Sequence, residues 1–204
     1  MDIEIRELKR ADHKKLIDYA IKGMHFALYF EENSPLIKMY GKYFWYDELL
    51  KATQIITAYD GEHVVGVLLA RITGEKKKYR SFFKSLYVKF FLFLEKIIEG
   101  AGEDSYNQAN KEMLSSYTQN NSVDGEITFL ACDVECQGKG IGSLLLRELQ
   151  NREKGKNIYL YTDDQCTYQF YEHKGFNMVG ERDIVVDTKV RQVPLKCFLY
   201  QKIM

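Results

Sequence analysis

Residues 127–149, ITFLACDVECQGKGIGSLLLREL, constrain the fold of this chain more than any other stretch. They read as an apolar strand over Ile127–Cys132, a turn over Asp133–Lys139, and an amphipathic helix that opens at Gly140–Gly142. Gly138, Gly140 and Gly142 stand where strand turns into helix. Glycine there accepts a positive φ and lets a ligand approach the main chain closely. A helix start also presents unpaired N–H groups and a partial positive charge. The combination is an anion cradle, suited to a phosphate or pyrophosphate.

Spacing excludes two common phosphate loops. The Walker pattern needs Gly-Lys followed by Ser or Thr, but Gly140 follows Lys139 here, and Ser143 breaks a Gly-x-Gly-x-x-Gly fingerprint counted from Gly138. The residues do match Gln/Arg-x-x-Gly-x-Gly/Ala, as Gln137-Gly138-Lys139-Gly140-Ile141-Gly142. That is the pyrophosphate loop of the GNAT superfamily of N-acetyltransferases, which this chain resembles. A second stretch, Phe170-Tyr171-Glu172-His173-Lys174-Gly175-Phe176, is similar to that superfamily's Leu/Phe-Tyr-x-x-x-Gly-Phe, with Gly175 at a helix C′ position. The resemblance extends over the whole chain except residues 74–124.

The rest of the chain is read from periodicity and turn residues. Ile3–Leu8 alternates as a first strand, and a helix opens at Ala11-Asp12 and runs to about Ile21. Pro35 punctuates the following segment, and Tyr40, Tyr43, Phe44, Trp45 and Tyr46 form an aromatic cluster that either lines an acceptor pocket or packs in the core. Gln54–Tyr59 and Val64–Ile72 are strands joined by Asp60-Gly61, a hairpin signal. A helix over 81–98 places Phe82, Phe83, Leu86, Tyr87, Phe90, Phe91, Leu94, Ile97 and Ile98 on one stripe, with Val88, Leu92 and Phe93 interrupting the polar face. Such a helix touches two surfaces, as a lid, as a homodimer contact or in the core; the basic segment Lys76–Lys96 also admits a membrane-surface reading. A short helix is expected near 110–117. Asn157–Thr162 is the next strand, Asp163-Asp164 cap a helix over Gln165–His173, and 176–185 with 193–202 form a closing antiparallel pair. The expected fold is α/β of the α+β type: a mixed, mostly antiparallel sheet of about seven strands with a central parallel pair, flanked by helices. It forms one domain over 1–204, with a helical insertion at 74–124.

Composition sets outer limits. Twenty-nine basic and 29 acidic residues cancel, which argues against a dedicated nucleic-acid binder. Cys132, Cys136, Cys166 and Cys197 have no zinc-ligand spacing, so no metal is expected and the four read as free thiols in a reducing compartment. The N-terminal residues lack an apolar signal core, and no run approaches the ~20 apolar residues of a membrane span. The expected setting is cytoplasmic, without stable membrane insertion.

The resemblance implies acetyl transfer from acetyl-CoA to a primary amine of a small molecule or peptide, by direct attack in a ternary complex. The alternative is a non-catalytic acyl-CoA-binding regulatory module on the same fold. The resemblance places the cofactor's pantetheine arm along Leu130, Ala131, Cys132 and Val134. Its pyrophosphate would meet Gln137, Gly138, Lys139, Gly140, Ile141, Gly142 and Ser143. Phe170 belongs to the second motif, and Asp164 stands where the family often has a helix-starting asparagine. Tyr171 matches the tyrosine that protonates the departing sulfur, and a backbone N–H near Cys132 would stabilise the oxyanion. Glu126 sits eleven residues before Gln137, the offset of the glutamate base in the histone-acetylating branch. A water relay is the alternative base. His173 reads as a surface residue. The identity of the amine is not fixed by these residues.

Overall fold

A computed structural model describes residues 2–31, 34–99, 105–136, 138–188 and 191–204, except for the side chains of residues 95–99. In chain order the elements are β1 (Ile3–Arg6), α1 (His13–Gly23), α2 (Pro35–Lys51), β2 (Gln54–Asp60), β3 (His63–Ile72), α3 (Phe82–Glu99) and α4 (Ser105–Thr118). β4 (Gly125–Cys132), α5 (Ile141–Arg152), β5 (Asn157–Asp163), α6 (Gln169–His173), β6 (Asn177–Asp187) and β7 (Gln192–Ile203) follow. The strands form one sheet in the order β1-β2-β3-β4-β5-β7-β6. Every neighbouring pair is antiparallel except β4 and β5, which are parallel and joined through α5. This is the expected mixed sheet with its central parallel pair.

Helices bury both faces of the sheet. On one face Ile141, Leu145 and Leu149 of α5 pack against Ile56, Leu68, Ile158 and Leu160. Their spacing of four along the helix makes a single apolar stripe, and burying each such side chain is worth about 2 kcal/mol. On the other face Leu16 and Ala20 of α1 and Trp45 and Leu49 of α2 pack against Tyr59, Val67, Leu69 and Phe129. Trp45 is wholly buried, so its indole N–H needs an acceptor. It donates to His13 Nδ1 at 3.0 Å, while His13 Nε2 meets the Tyr79 hydroxyl at 3.1 Å. Burial, then the charge of Lys84, pushes the His13 pKa down to about 4, so the ring is neutral at pH 7. The aromatic run is therefore split: Trp45 belongs to the core, whereas Tyr40, Tyr43 and Tyr46 meet α3.

Four local readings change. Pro35 opens α2 as its first residue, where its missing N–H costs nothing, and the Ser34 hydroxyl accepts from the Leu36 amide at 3.3 Å. α4 is a full 14-residue helix against β6 and β7, longer than the short helix expected. The helix after β5 is only Gln169–His173. The Asp163 carboxylate caps the preceding turn by accepting from the amides of Gln165 and Cys166, whereas Asp164 is hydrogen-bonded through its main chain and carboxylate to Lys196 of β7. Finally, the apolar stripe of α3 divides. Val88, read as an interruption of the polar face, is buried, and Tyr87 and Phe91 beside it face α2. Phe82, Phe83, Leu86, Phe90 and Phe93 face outward. A helix apolar around most of its circumference does not reveal from sequence alone which side turns inward.

Candidate functional site

The two central strands pair only at Gly125↔Ile158 and Glu126↔Tyr159. Beyond that point β4 stays bonded to β3 as far as Cys132, and β5 stays bonded to β7 as far as Asp163. The main chain of Ile127–Cys132 therefore has no strand partner on its β5 side. The divergence begins at a bulge: Ile127 pairs with Ala70 and Phe129 with Leu69, leaving Thr128 as an extra residue. Bulges increase local twist, and this one lies where β4 parts from β5 while its pairing with β3 continues.

At the open end of β4 the chain makes a tight turn into α5. The Asp133 carboxylate anchors it, accepting from the Tyr19 hydroxyl at 2.7 Å and the Glu135 amide at 3.2 Å and pairing with Lys15 at 2.9 Å. Burial alone would raise the Asp133 pKa, but these partners outweigh it and bring it down to about 2. Gly138 and Gly140 then adopt φ of 79° and 78°, the left-handed region that a Cβ disfavours. Gly140 is the N-cap and supplies no side chain, so nothing from the cap satisfies the first-turn N–H groups of Ile141, Gly142 and Ser143. Gln137 lies outside the described residues. The Ile141 side chain is buried in the core, which leaves only its main chain for a ligand. Gly142 does a different job from the other two glycines: a Cβ there would lie 3.0 Å from the Phe170 ring. The two sequence motifs thus touch, and glycine is what lets them. Beside Ser143 a hollow of about 390 Å³ is lined in part by Arg147, Lys174 and Lys202.

Tyr171 is held by ring contacts with Phe170, Phe176 and Tyr200. Burial, then Cys166 and Cys132 nearby, raises its pKa above that of a free phenol, so it carries its proton at neutral pH. Burial likewise pushes the Cys132 and Cys166 thiols up to about 12. Neither is a thiolate at pH 7, so neither is poised as a nucleophile. Val134 is exposed at the start of the turn, and Leu130 is partly buried against the α5-side core. His173 is exposed, as read.

Glu126 is not the solvated strand-start residue that Asp124-Gly125 before it would allow. Its carboxylate accepts from Arg71 Nη2 at 3.0 Å and from the Tyr159 hydroxyl at 3.3 Å. Burial raises its pKa, Arg71 opposes that, and Glu48 reinforces it. Burial also raises the Glu48 pKa, and one of its carboxylate oxygens has no hydrogen-bond partner among the described residues. Glu48, Arg71, Tyr159 and Tyr161 were not singled out as site residues from the sequence. Two signals were present: Arg71 is the lone charge within the apolar run of β3, and Tyr159 and Tyr161 alternate onto one face of β5. From Glu126 to Cys132 is six residues, about 20 Å along an extended strand. The carboxylate and the Cys132 end of the gap are thus far apart. Among the described residues no cluster of His, Cys, Asp or Glu could hold a metal, and all four cysteines are free. No helix among them is long and apolar enough to cross a membrane.

The model of the acetyltransferase (GNAT) domain family matches residues 100–178, the part that contains both motifs. No curated protein matches the chain. Solved structures do. One is a structure of histone acetyltransferase HPA2 and related acetyltransferase from Corynebacterium glutamicum, 17% identical, covering 98% of this chain and 96% of its own with a TM-score of 0.58. Another is the PaiA N-acetyltransferase from Thermoplasma acidophilum in complex with coenzyme A, 18% identical over 100% of both chains with a TM-score of 0.55. A third is the Drosophila melanogaster polyamine N-acetyltransferase, which catalyses the formation of N-acetylagmatine; it is 12% identical, covers 97% of this chain and 99% of its own, and has a TM-score of 0.54. The resemblance of this chain to the GNAT superfamily is thus shown by the family model over its motif-bearing part and by the fold over nearly its whole length.

Proposed function

We propose that residues 1–204 are one acetyltransferase domain, with a helical insertion at 74–124, that moves an acetyl group from acetyl-CoA to a primary amine of a small molecule or peptide. The observation that carries this reading is the gap in the middle of the sheet. An extended arm bearing amides can add to the free edge of Leu130, Ala131, Cys132 and Val134 much as a strand would. A pyrophosphate at the end of that arm would reach the N–H groups from Gly138 to Ser143, with Gln137 at the head of the loop. Arg147, Lys174 and Lys202 around the adjoining hollow suit the cofactor's remaining phosphate. Phe170 supports the loop through Gly142, and Asp164 stiffens the far wall through Lys196.

Acetyl-CoA supplies an activated thioester. The amine nitrogen forms the new C–N bond as the C–S bond breaks, and a backbone N–H near Cys132 stabilises the oxyanion. Tyr171 gives its proton to the leaving sulfur, a role suited to a phenol kept protonated beside Cys132. The proton lost by the amine passes to Glu126, through water given the length of strand between them. Burial keeps the Cys132 and Cys166 thiols protonated, which supports direct attack in a ternary complex over an acyl-enzyme on either of them.

The test is an initial-rate study with acetyl-CoA and a panel of agmatine, spermidine, amino acids and peptide N-termini. The relative that forms N-acetylagmatine supports starting with the first two. Intersecting double-reciprocal lines for an accepted amine are expected. Parallel lines would overturn direct transfer, and saturable cofactor binding without turnover on any amine would favour the regulatory module.

A further inference from the structure

Buried polar atoms without a partner gather at the closed end of the gap. Among the described residues there are five such side-chain atoms, and three of them, Glu48 Oε2, Arg71 Nε and Thr128 Oγ1, belong to one cluster beside Glu126. The other two are on Asn110 and Asn157. Each such atom costs free energy unless something completes it, so a concentration of them marks a place with work to do. Charge is unbalanced at the same place. Asp47 pairs with Lys51 at 2.5 Å and Glu126 with Arg71 at 3.0 Å, whereas Glu48 has no ion-pair partner among the described residues. Three carboxylates therefore stand against two cations. Tyr159 and Tyr161, which act on Glu126 from β5, have pKa values raised by burial and add no charge at pH 7.

Donor and acceptor types decide what fits there. A carboxylate oxygen accepts, an Nε–H donates and a hydroxyl does both. Water completes such a set, and an ammonium does not, because it accepts nothing from Arg71. The position also suits a relay. Thr128 is the extra residue of the bulge, where β4 parts from β5. It is four residues from Cys132, about 13 Å along an extended strand, against about 20 Å for Glu126. Burial, opposed by Arg71, holds both carboxylates above their ordinary value, which suits them to accept a proton nearer neutral pH.

We propose that the proton acceptor of the acetyl-transfer reading, on which this inference rests, is the pair Glu48 and Glu126, with Glu48 the member that receives the proton from water held at Thr128. The amine N–H bond breaks as a water O–H bond forms, and that water passes a proton to Glu48 Oε2. One proton cancels the surplus negative charge of the cluster, leaving two carboxylates against two cations. Arg71 ties Glu126 to the change, since the guanidinium that Glu126 binds also acts on Glu48. The proton returns to solvent when product leaves.

Initial rates of Glu48→Gln, Glu126→Gln and the double variant test this. Each single variant is expected to lower turnover about 10-fold and to flatten the acidic limb of the rate profile. The double variant is expected to lose no more than either, because members of one relay fail together. Glu48→Asp should recover part of the rate, and acetyl-CoA affinity by calorimetry should stay at the wild-type level throughout. Full turnover in Glu48→Gln, or losses that multiply in the double variant, would overturn the pair. An NMR titration of isotope-labelled glutamate carboxyls gives a second readout that needs no amine, the Glu48 signal being the one missing from Glu48→Gln. In Glu126→Gln that signal is expected to titrate at lower pH than in the wild type, since a like charge is gone and Arg71 is freed. A Glu48 signal that does not move overturns the pair whatever the activity. One that moves in a protein that acetylates no amine upholds the coupling and contradicts the transfer reading instead.

Discussion

The two ends of the gap between β4 and β5 are built from different materials. At the open end, Gly138, Gly140 and the first turn of α5 offer main-chain groups, and side chains there serve the core or the turn. At the closed end, Glu126, Arg71, Glu48 and Tyr159 meet through their side chains and come from four separate elements. For cofactor binding, the first end should therefore tolerate side-chain changes and resist backbone changes, while the second should do the reverse. It also explains why one end was easier to find than the other.

Tyr171→Phe should have the largest effect, lowering turnover by about 100-fold or more, in line with loss of a general acid. Acetyl-CoA affinity should stay within a factor of about two by calorimetry, since no cradle group changes. Turnover equal to the wild type would remove Tyr171 from the chemistry. Next in size, Gly140→Val places a β-branched residue at φ 78°, at a cost of about 2 kcal/mol to the loop. Acetyl-CoA affinity should fall roughly 30-fold with amine KM little changed. A comparable loss in amine KM would mean that the two ends are not separate.

Glu126→Gln should lower turnover about 10-fold at pH 7 and, more tellingly, flatten the acidic limb of the rate profile. The sign follows from the raised pKa: the carboxylate accepts a proton only above that value, so the wild-type rate climbs with pH through a range above that of an ordinary glutamate. An unchanged acidic limb in the variant would assign the base to water alone. The smallest effect is expected for Lys139→Ala. Its charge is exposed in the loop but the cradle is main chain, so affinity should change less than about three-fold, consistent with one surface charge. A ten-fold loss would show that the open end depends on side chains after all.

The contrast also accounts for what sequence alone revealed. The Gly138–Gly140–Gly142 spacing and Phe170-Tyr171 were legible because backbone needs select residue types locally: positive φ at two glycines, and room for a ring at the third. The sheet was legible for the same reason, from alternation and turn residues. Arg71 and Glu126, 55 residues apart, were not linked, because an ion pair across β3 and β4 leaves no local pattern. The capping read for the pair Asp163-Asp164 falls to Asp163 alone, because two adjacent acids before a helix are indistinguishable until the turn is folded. On α3, apolar residues on nearly every side concealed which ones met α2.

Calorimetric titration of the purified protein with acetyl-CoA, and separately with CoA lacking its pyrophosphate-bearing half, addresses the main-chain cradle most directly. Tight binding of the whole cofactor with none of the fragment is the predicted result, because the N–H groups from Gly138 to Ser143 would have lost the anion they hold. Equal binding of both would place the affinity elsewhere along the gap, and binding of neither would contradict the acetyl-transfer reading itself.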